Sequence, residues 1–136
     1  MSVFDTIRIA ASGLTAQRLR MDVASSNIAN AQSTKLTNGR PYEAEAVLFQ
    51  AQQMGPTGAQ MGVSATAIVN SSRPNTRVYD PNHPDADAQG FVTYPNVDVA
   101  SEMVDIMGAA RSYQVVATAA QAAKQQALDA IDLGKA

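Results

Sequence analysis

The sequence contains no cysteine and no tryptophan, and only 5% of its 136 residues are aromatic. The missing cysteine excludes disulfides, thiolate metal sites and cysteine nucleophiles. Basic residues are not in surplus: 10 Lys and Arg stand against 12 Asp and Glu, a net charge of −2. With no arginine cluster and no stacking aromatics, nucleic acid is excluded as a partner. No apolar run approaches the roughly 18 residues of a membrane span, so no membrane insertion is expected. Asp5 and Arg8 interrupt the beginning of the chain, where a cleaved secretory signal would need an unbroken apolar stretch.

Groups that carry chemistry are equally sparse. The one histidine, His83, sits between Asn82 and Pro84 without a second His or Cys near it, so it is a poor zinc ligand and reads as a loop histidine. Asp85 and Asp87 form an Asp-x-Asp pair, but the Gly and closing Glu of a calcium loop are missing. Glu43 and Glu45 fall at strand spacing, which reads as a solvent-facing stripe; as paired carboxylates they are the sole handle for a hydrolase reading. No nucleophile elbow, phosphate-binding glycine loop or dinucleotide fingerprint occurs. The expectation is a protein that is not an enzyme, with no catalytic residue, metal or cofactor.

What the chain has in quantity is alanine, 25 residues of it. Alanine buries little area, so a self-sufficient core would be thin. Val3, Ile7, Ala10, Leu14, Gln17, Met21, Ala24 and Ile28 follow an alternating 4,3 spacing, a heptad seam on one long helix. A second seam runs through Val99, Met103, Ile106, Ala110, Tyr113, Ala117, Ala120, Lys124, Ala127 and Ile131. This predicts a helix from about Asp98 to Leu133, N-capped by Asn96 or Asp98 and closed by Gly134. Asn27 and Asn30 suit the end of the first helix, since Asn tolerates left-handed backbone and bonds to a following turn.

The faces away from the seams carry almost no charge. Val23 to Thr34 and Ser112 to Ala123 are each twelve residues without a charged side chain. Such surfaces suit packing on several sides, more than a two-helix coiled coil in water needs.

Between the helices the period changes to two. Tyr42, Ala44, Ala46 and Leu48 share one strand face, and Val63, Ala65, Ala67 and Val69 share another. Residues 54–62, rich in Gly and Pro, make a turn. Thr76 to Tyr79 and Phe91 to Tyr94 are short extended pieces around an acidic loop from Asp80 to Gln89.

The fold class is therefore mainly α with a β-rich insert. Long terminal helices pair as an antiparallel coiled coil around a small hairpin or sheet. Three segments are expected: an assembly helix over 1–31, an insert over 32–95 and a second assembly helix over 96–136. The assembly seam comprises Val3, Ile7, Leu14, Met21, Ile28, Val99, Met103, Ile106, Tyr113 and Ile131, with Asn27 and Asn30 at the helix end. The helices either close on each other within one chain, as in a soluble helical-hairpin adaptor working as monomer or dimer, or pack between chains.

Several motifs resemble one family. Ser25-Ser26-Asn27-Ile28-Ala29-Asn30-Ala31 is similar to the Asn-x-Ala-Asn signature of flagellar rod and hook proteins. Asn38-Gly39-Arg40-Pro41-Tyr42-Glu43-Ala44 resembles the strand entry of the proximal-rod group. So does the run from Tyr79 through Asp80-Pro81-Asn82-His83-Pro84-Asp85-Ala86-Asp87 to Phe91-Val92, continuing through Tyr94-Pro95-Asn96-Val97-Asp98-Val99 to Asp105. Ala110-Arg111-Ser112-Tyr113-Gln114 looks like the family's segment in its C-terminal helix. Val115 to Ala130 departs from the group, being Ala- and Gln-rich where larger aliphatics and Asn are more usual.

The chain thus resembles the rod proteins of the bacterial flagellar basal body over nearly its whole length. The resemblance implies a subunit of the proximal rod, the tubular drive shaft that transmits torque and encloses the export channel. It implies partners among rod proteins of the FlgB, FlgF and FlgG type, the rod-to-export-gate adaptor FliE, and copies of the chain itself. It also implies a periplasmic place in the basal body, reached by type III export without a cleaved signal.

Overall fold

A computed structural model describes residues 3–37, 39–54 and 60–134; the side chains of Val3 and Gln60 are not among those described. Helix α1 spans Val3–Ala29 and helix α2 spans Val99–Leu133. Between them lie β1 (Glu45–Met54), β2 (Gln60–Asn70), β3 (Thr76–Tyr79) and β4 (Phe91–Tyr94). β1 and β2 form one two-stranded antiparallel sheet, and β3 and β4 form another.

The helix ends have local causes. Asp98 caps α2, its carboxylate accepting the N–H groups of Ala100 at 3.1 Å and Ser101 at 3.4 Å, which decides between the two expected caps. Gly134 ends the helix with φ −78°, in right-handed backbone, and its N–H reaches the Ala130 carbonyl. The end of α1 corrects an expectation. No described residue other than glycine has a positive φ, so neither Asn27 nor Asn30 supplies a left-handed cap. Asn30 instead donates its side-chain amide to the Ser26 carbonyl at 2.9 Å and accepts from the Ser33 hydroxyl at 3.2 Å, closing the next turn.

The helices run side by side in opposite directions. Asn27 bonds to Glu102 at 3.1 Å, Arg20 pairs with Asp105 at 2.6 Å, and Gly13 faces Val116. The covered strip is made of small residues: Ala16, Val23 and Ala24 are buried on α1 and Ala109 on α2. Half-buried Ile106, Val116, Ala120, Ala123 and Ala127 extend it along α2. Small side chains allow close approach, but each removes little apolar area from water.

The β1–β2 hairpin lies along α1, and the Val63 N–H donates to the Ser12 hydroxyl at 3.1 Å. Two expectations about its faces are corrected. Leu48 pairs with Ala67 and Phe49 with Ala65, leaving Thr66 as an extra residue in β2. That bulge puts Ala65 and Ala67 on opposite faces, because one inserted residue inverts the side-chain alternation. On β1, Ala46 and Leu48 are exposed, whereas Glu45 and Val47 are half-buried toward the helices. The expected turn at Gly55, Pro56 and Gly58 lies outside the described residues, as does Asn38.

In the β3–β4 unit, Val92 is completely buried. Its acidic loop is pinned at both ends: Asp80 N–H donates to the Gly90 carbonyl at 2.9 Å, and Asp87 N–H to the Phe91 carbonyl at 2.8 Å. Gly90 adopts φ +82° with Tyr79 and Pro81 close to where a Cβ would stand, so the turn requires glycine on both counts.

Candidate assembly surface

Asn27 is the one buried polar or charged residue found among those described, at 1% exposure. It uses its full hydrogen-bonding capacity. Its side-chain oxygen accepts from the Tyr42 hydroxyl at 2.8 Å and the Glu45 N–H at 2.9 Å. Its amide nitrogen donates to the Glu45 carbonyl at 2.8 Å and to Glu102 at 3.1 Å. One side chain therefore ties the end of α1 to the entry of β1 and to the first turn of α2. Burial raises the Tyr42 phenol above its ordinary value, with the Glu45 and Glu102 carboxylates adding to the rise against the opposing effect of Ser26.

Glu45 lines a groove of about 360 Å³ with Arg20, Phe49, Glu102 and Asp105. Glu43 is exposed and accepts a bond from Asn70 at 2.6 Å. The two glutamates therefore do not form the single solvent-facing stripe expected of them. Asp87 accepts from Phe91 N–H, Gln89 N–H and Arg77, which together hold its carboxyl below the usual range. The Glu43 and Asp87 carboxylates thus have structural partners, and no cluster that could hold a metal ion occurs among the described residues.

The expected seam residues divide into two groups. Ile7, Leu14, Met21, Ile28 and Ile106 are half-buried, as is Asn30. Val99, Met103, Tyr113 and Ile131 are exposed, at 40%, 56%, 36% and 54% respectively. Val3 opens α1, with its side chain outside the described set.

The exposed group belongs to a larger uncovered surface. Val99, Met103 and Met107 succeed one another at four-residue steps and form one stripe along α2, while Val104 and Val115 lie on another. Met107, Val104 and Val115 are each more than 60% exposed. Residues 112–123 place no charge anywhere around this helix. The Asn27 junction was visible in the sequence as a polar residue beside the seam, but its partners at 42, 45 and 102 had no local signal.

A helix pair with a fixed junction and an uncovered apolar face on α2 suits a structural protein that packs with other chains. Its relatives are of that kind. Residues 7–35 match the family described as flagella basal body rod protein. Residues 88–133 match the flagellar basal body rod FlgEFG protein C-terminal family. The chain is 42% identical to the flagellar basal-body rod protein FlgC of Escherichia coli O157:H7, over 99% of this chain and all of the relative. It is 40% identical to that of Bacillus subtilis at the same coverage, and 36% identical to that of Borreliella burgdorferi over 91% of this chain and 92% of the relative. The chain belongs to the FlgC family of flagellar basal-body rod proteins.

Proposed function

We propose that this chain is a structural subunit of the flagellar basal-body rod, where it packs with neighbouring rod proteins in the tubular shaft that transmits torque and surrounds the export channel. The observation that carries the reading is the uncovered surface. The chain exposes 9324 Å², whereas a compact monomer of 14.3 kDa exposes about 6,800 Å². An excess of about 2,500 Å² is what obligate interfaces bury. Half of the exposed large hydrophobic residues found lie on α2, which favours assembly over a self-contained adaptor.

In this reading the helices pair as an antiparallel coiled coil, with 1–31 and 96–136 as assembly segments and 32–95 as the insert that orients them. Half-buried Ile7, Leu14, Met21, Ile28 and Ile106 hold the pair together. Val99, Met103, Tyr113 and Ile131 meet neighbouring subunits, together with Val3 at the start of α1. Asn27 and Asn30 set the angle between helices and insert. Those neighbours are rod proteins of the FlgB, FlgF and FlgG type, the adaptor FliE, and further copies of the chain, in the periplasmic part of the basal body. The subunit arrives by type III export without a cleaved signal and works by packing, without catalysis.

The test is to delete the chromosomal copy in the source bacterium and restore it in trans with an epitope tag on the hairpin. Loss and recovery of motility, with the tag in purified basal bodies, is the expected result. Motile deletion cells, or a tag recovered free of basal bodies, would refute the reading.

A further inference from the structure

His83 has a role that the rod reading leaves unused. Neither β3 nor β4 packs against a helix among the described residues, and polar links from the flanking segments help hold the β3–β4 unit. One link is Asn75, which donates to the Tyr42 carbonyl at 3.0 Å. The other is the acidic loop, where Asp85 accepts from the Thr34 hydroxyl at 2.7 Å and faces the Lys35 ammonium at 4.0 Å. Thr34 and Lys35 belong to the turn just beyond α1.

Asp85 is positioned by His83. The Asp85 N–H donates to His83 Nδ1 at 3.1 Å. The same loop repeats this step with carboxylates: Asn82 N–H donates to Asp80 at 3.3 Å, and Gln89 N–H to Asp87 at 2.9 Å. In all three, a side-chain acceptor holds the amide two residues onward, the geometry of an Asx-turn. At position 83 alone the acceptor is an imidazole, and a protonated imidazole has no acceptor left.

We propose that His83 is a proton-sensitive latch: neutral, it docks the acidic loop on the end of α1, and protonated, it releases Asp85 from Thr34 and Lys35. The groups around the ring support release. Tyr94 from β4 meets the ring edge-on at 6.1 Å. Lys35, on the link, opposes an added positive charge. Asp87 is engaged by Arg77 and two amides, and Asp80 by the Asn82 amide. If the imidazolium draws Asp85 itself, that carboxylate leaves Thr34, which is also release.

The full-length ¹⁵N-labelled chain is the sample, followed by NMR from pH 8 to pH 5, the window in which imidazoles titrate. Loss of one hydrogen bond corresponds to about a tenfold fall in protection of the Asp85 amide, corrected for its intrinsic exchange rate. The fall should track the His83 ring signals, and the Thr34 and Lys35 amide signals should move with the same midpoint. His83→Asn keeps an acceptor at every pH in this range, so its Asp85 protection should stay constant. Constant wild-type protection while the ring titrates would overturn the latch, whether or not the variant folds. So would Thr34 and Lys35 signals that stay fixed, or an equal fall in His83→Asn.

Discussion

Replacing Asn27 tests the junction on which the arrangement of helices and insert depends. In Asn27→Ala, the Tyr42 hydroxyl and both the N–H and the carbonyl of Glu45 lose a partner in a buried setting. Each such loss costs about 1 kcal/mol or somewhat more, and the cavity left by the amide adds about 1 kcal/mol. Glu102 is half-buried and can turn to water, so its loss is small. The total is about 4 kcal/mol, a large share of what a domain of this size possesses.

Asn27→Asp separates the partners. Its carboxylate still accepts from Tyr42 and Glu45 N–H, but it faces the Glu45 carbonyl and the Glu102 carboxylate with no proton to donate. Burial, Glu102 and the facing Glu45 carbonyl raise the folded-state pKa of the introduced carboxyl and outweigh the two bonds it accepts, which lower it. Protons then favour the folded form, so this variant should gain stability relative to wild type as pH falls from 7 toward 4. Urea unfolding followed by tyrosine fluorescence and circular dichroism measures both effects. A loss below about 1 kcal/mol in Asn27→Ala, or no relative recovery of Asn27→Asp in acid, would refute the reasoning.

Other consequences are smaller and separable. The Arg20–Asp105 pair is 47% exposed on both sides, so a double-mutant cycle should give a coupling below about 1 kcal/mol that shrinks with added salt. Because the Tyr42 phenol is raised, it favours folding below the ordinary phenol range and loses that contribution as pH rises through its higher folded value. Absorbance titration of the four tyrosines should show one ionising after the rest, and Tyr42→Phe should remove that late step. Gly90→Ala should destabilise the β3–β4 unit by about 1–2 kcal/mol through its positive φ, read as loss of amide protection at Val92 with α1 and α2 unaffected.

The sequence was most legible where a period persisted. Two long helices, a hairpin between them, the extended pieces at 76–79 and 91–94, and a cap at Asn96 or Asp98 all followed from spacing and turn residues. Faces were harder to read. The Thr66 bulge inverts half of β2, and an inserted residue leaves no mark in an alternation of Ala, Val and Thr. The entry of β1 is anchored by Asn27 bonding to the backbone of Glu45, a contact between residues 18 apart. The α2 seam mixed alanines at 110, 117, 120 and 127, which are half-buried, with large residues such as Met103 and Tyr113, which are exposed. The partner helix covers the alanines, because small residues let two backbones approach, and a period of 3.5 does not say which of two neighbouring stripes faces inward.

The central claim is that the apolar stripe left open on α2 belongs to other subunits. Met103 and Met107 are exposed and outside the helix pair, so the double variant Met103→Asp, Met107→Asp should change monomer stability by no more than about 0.5 kcal/mol. Expressed in cells lacking the native copy, it should be present as folded protein, absent from purified basal bodies, and unable to restore motility. Recovery of that variant in basal bodies at the wild-type level, with full motility, would contradict the account.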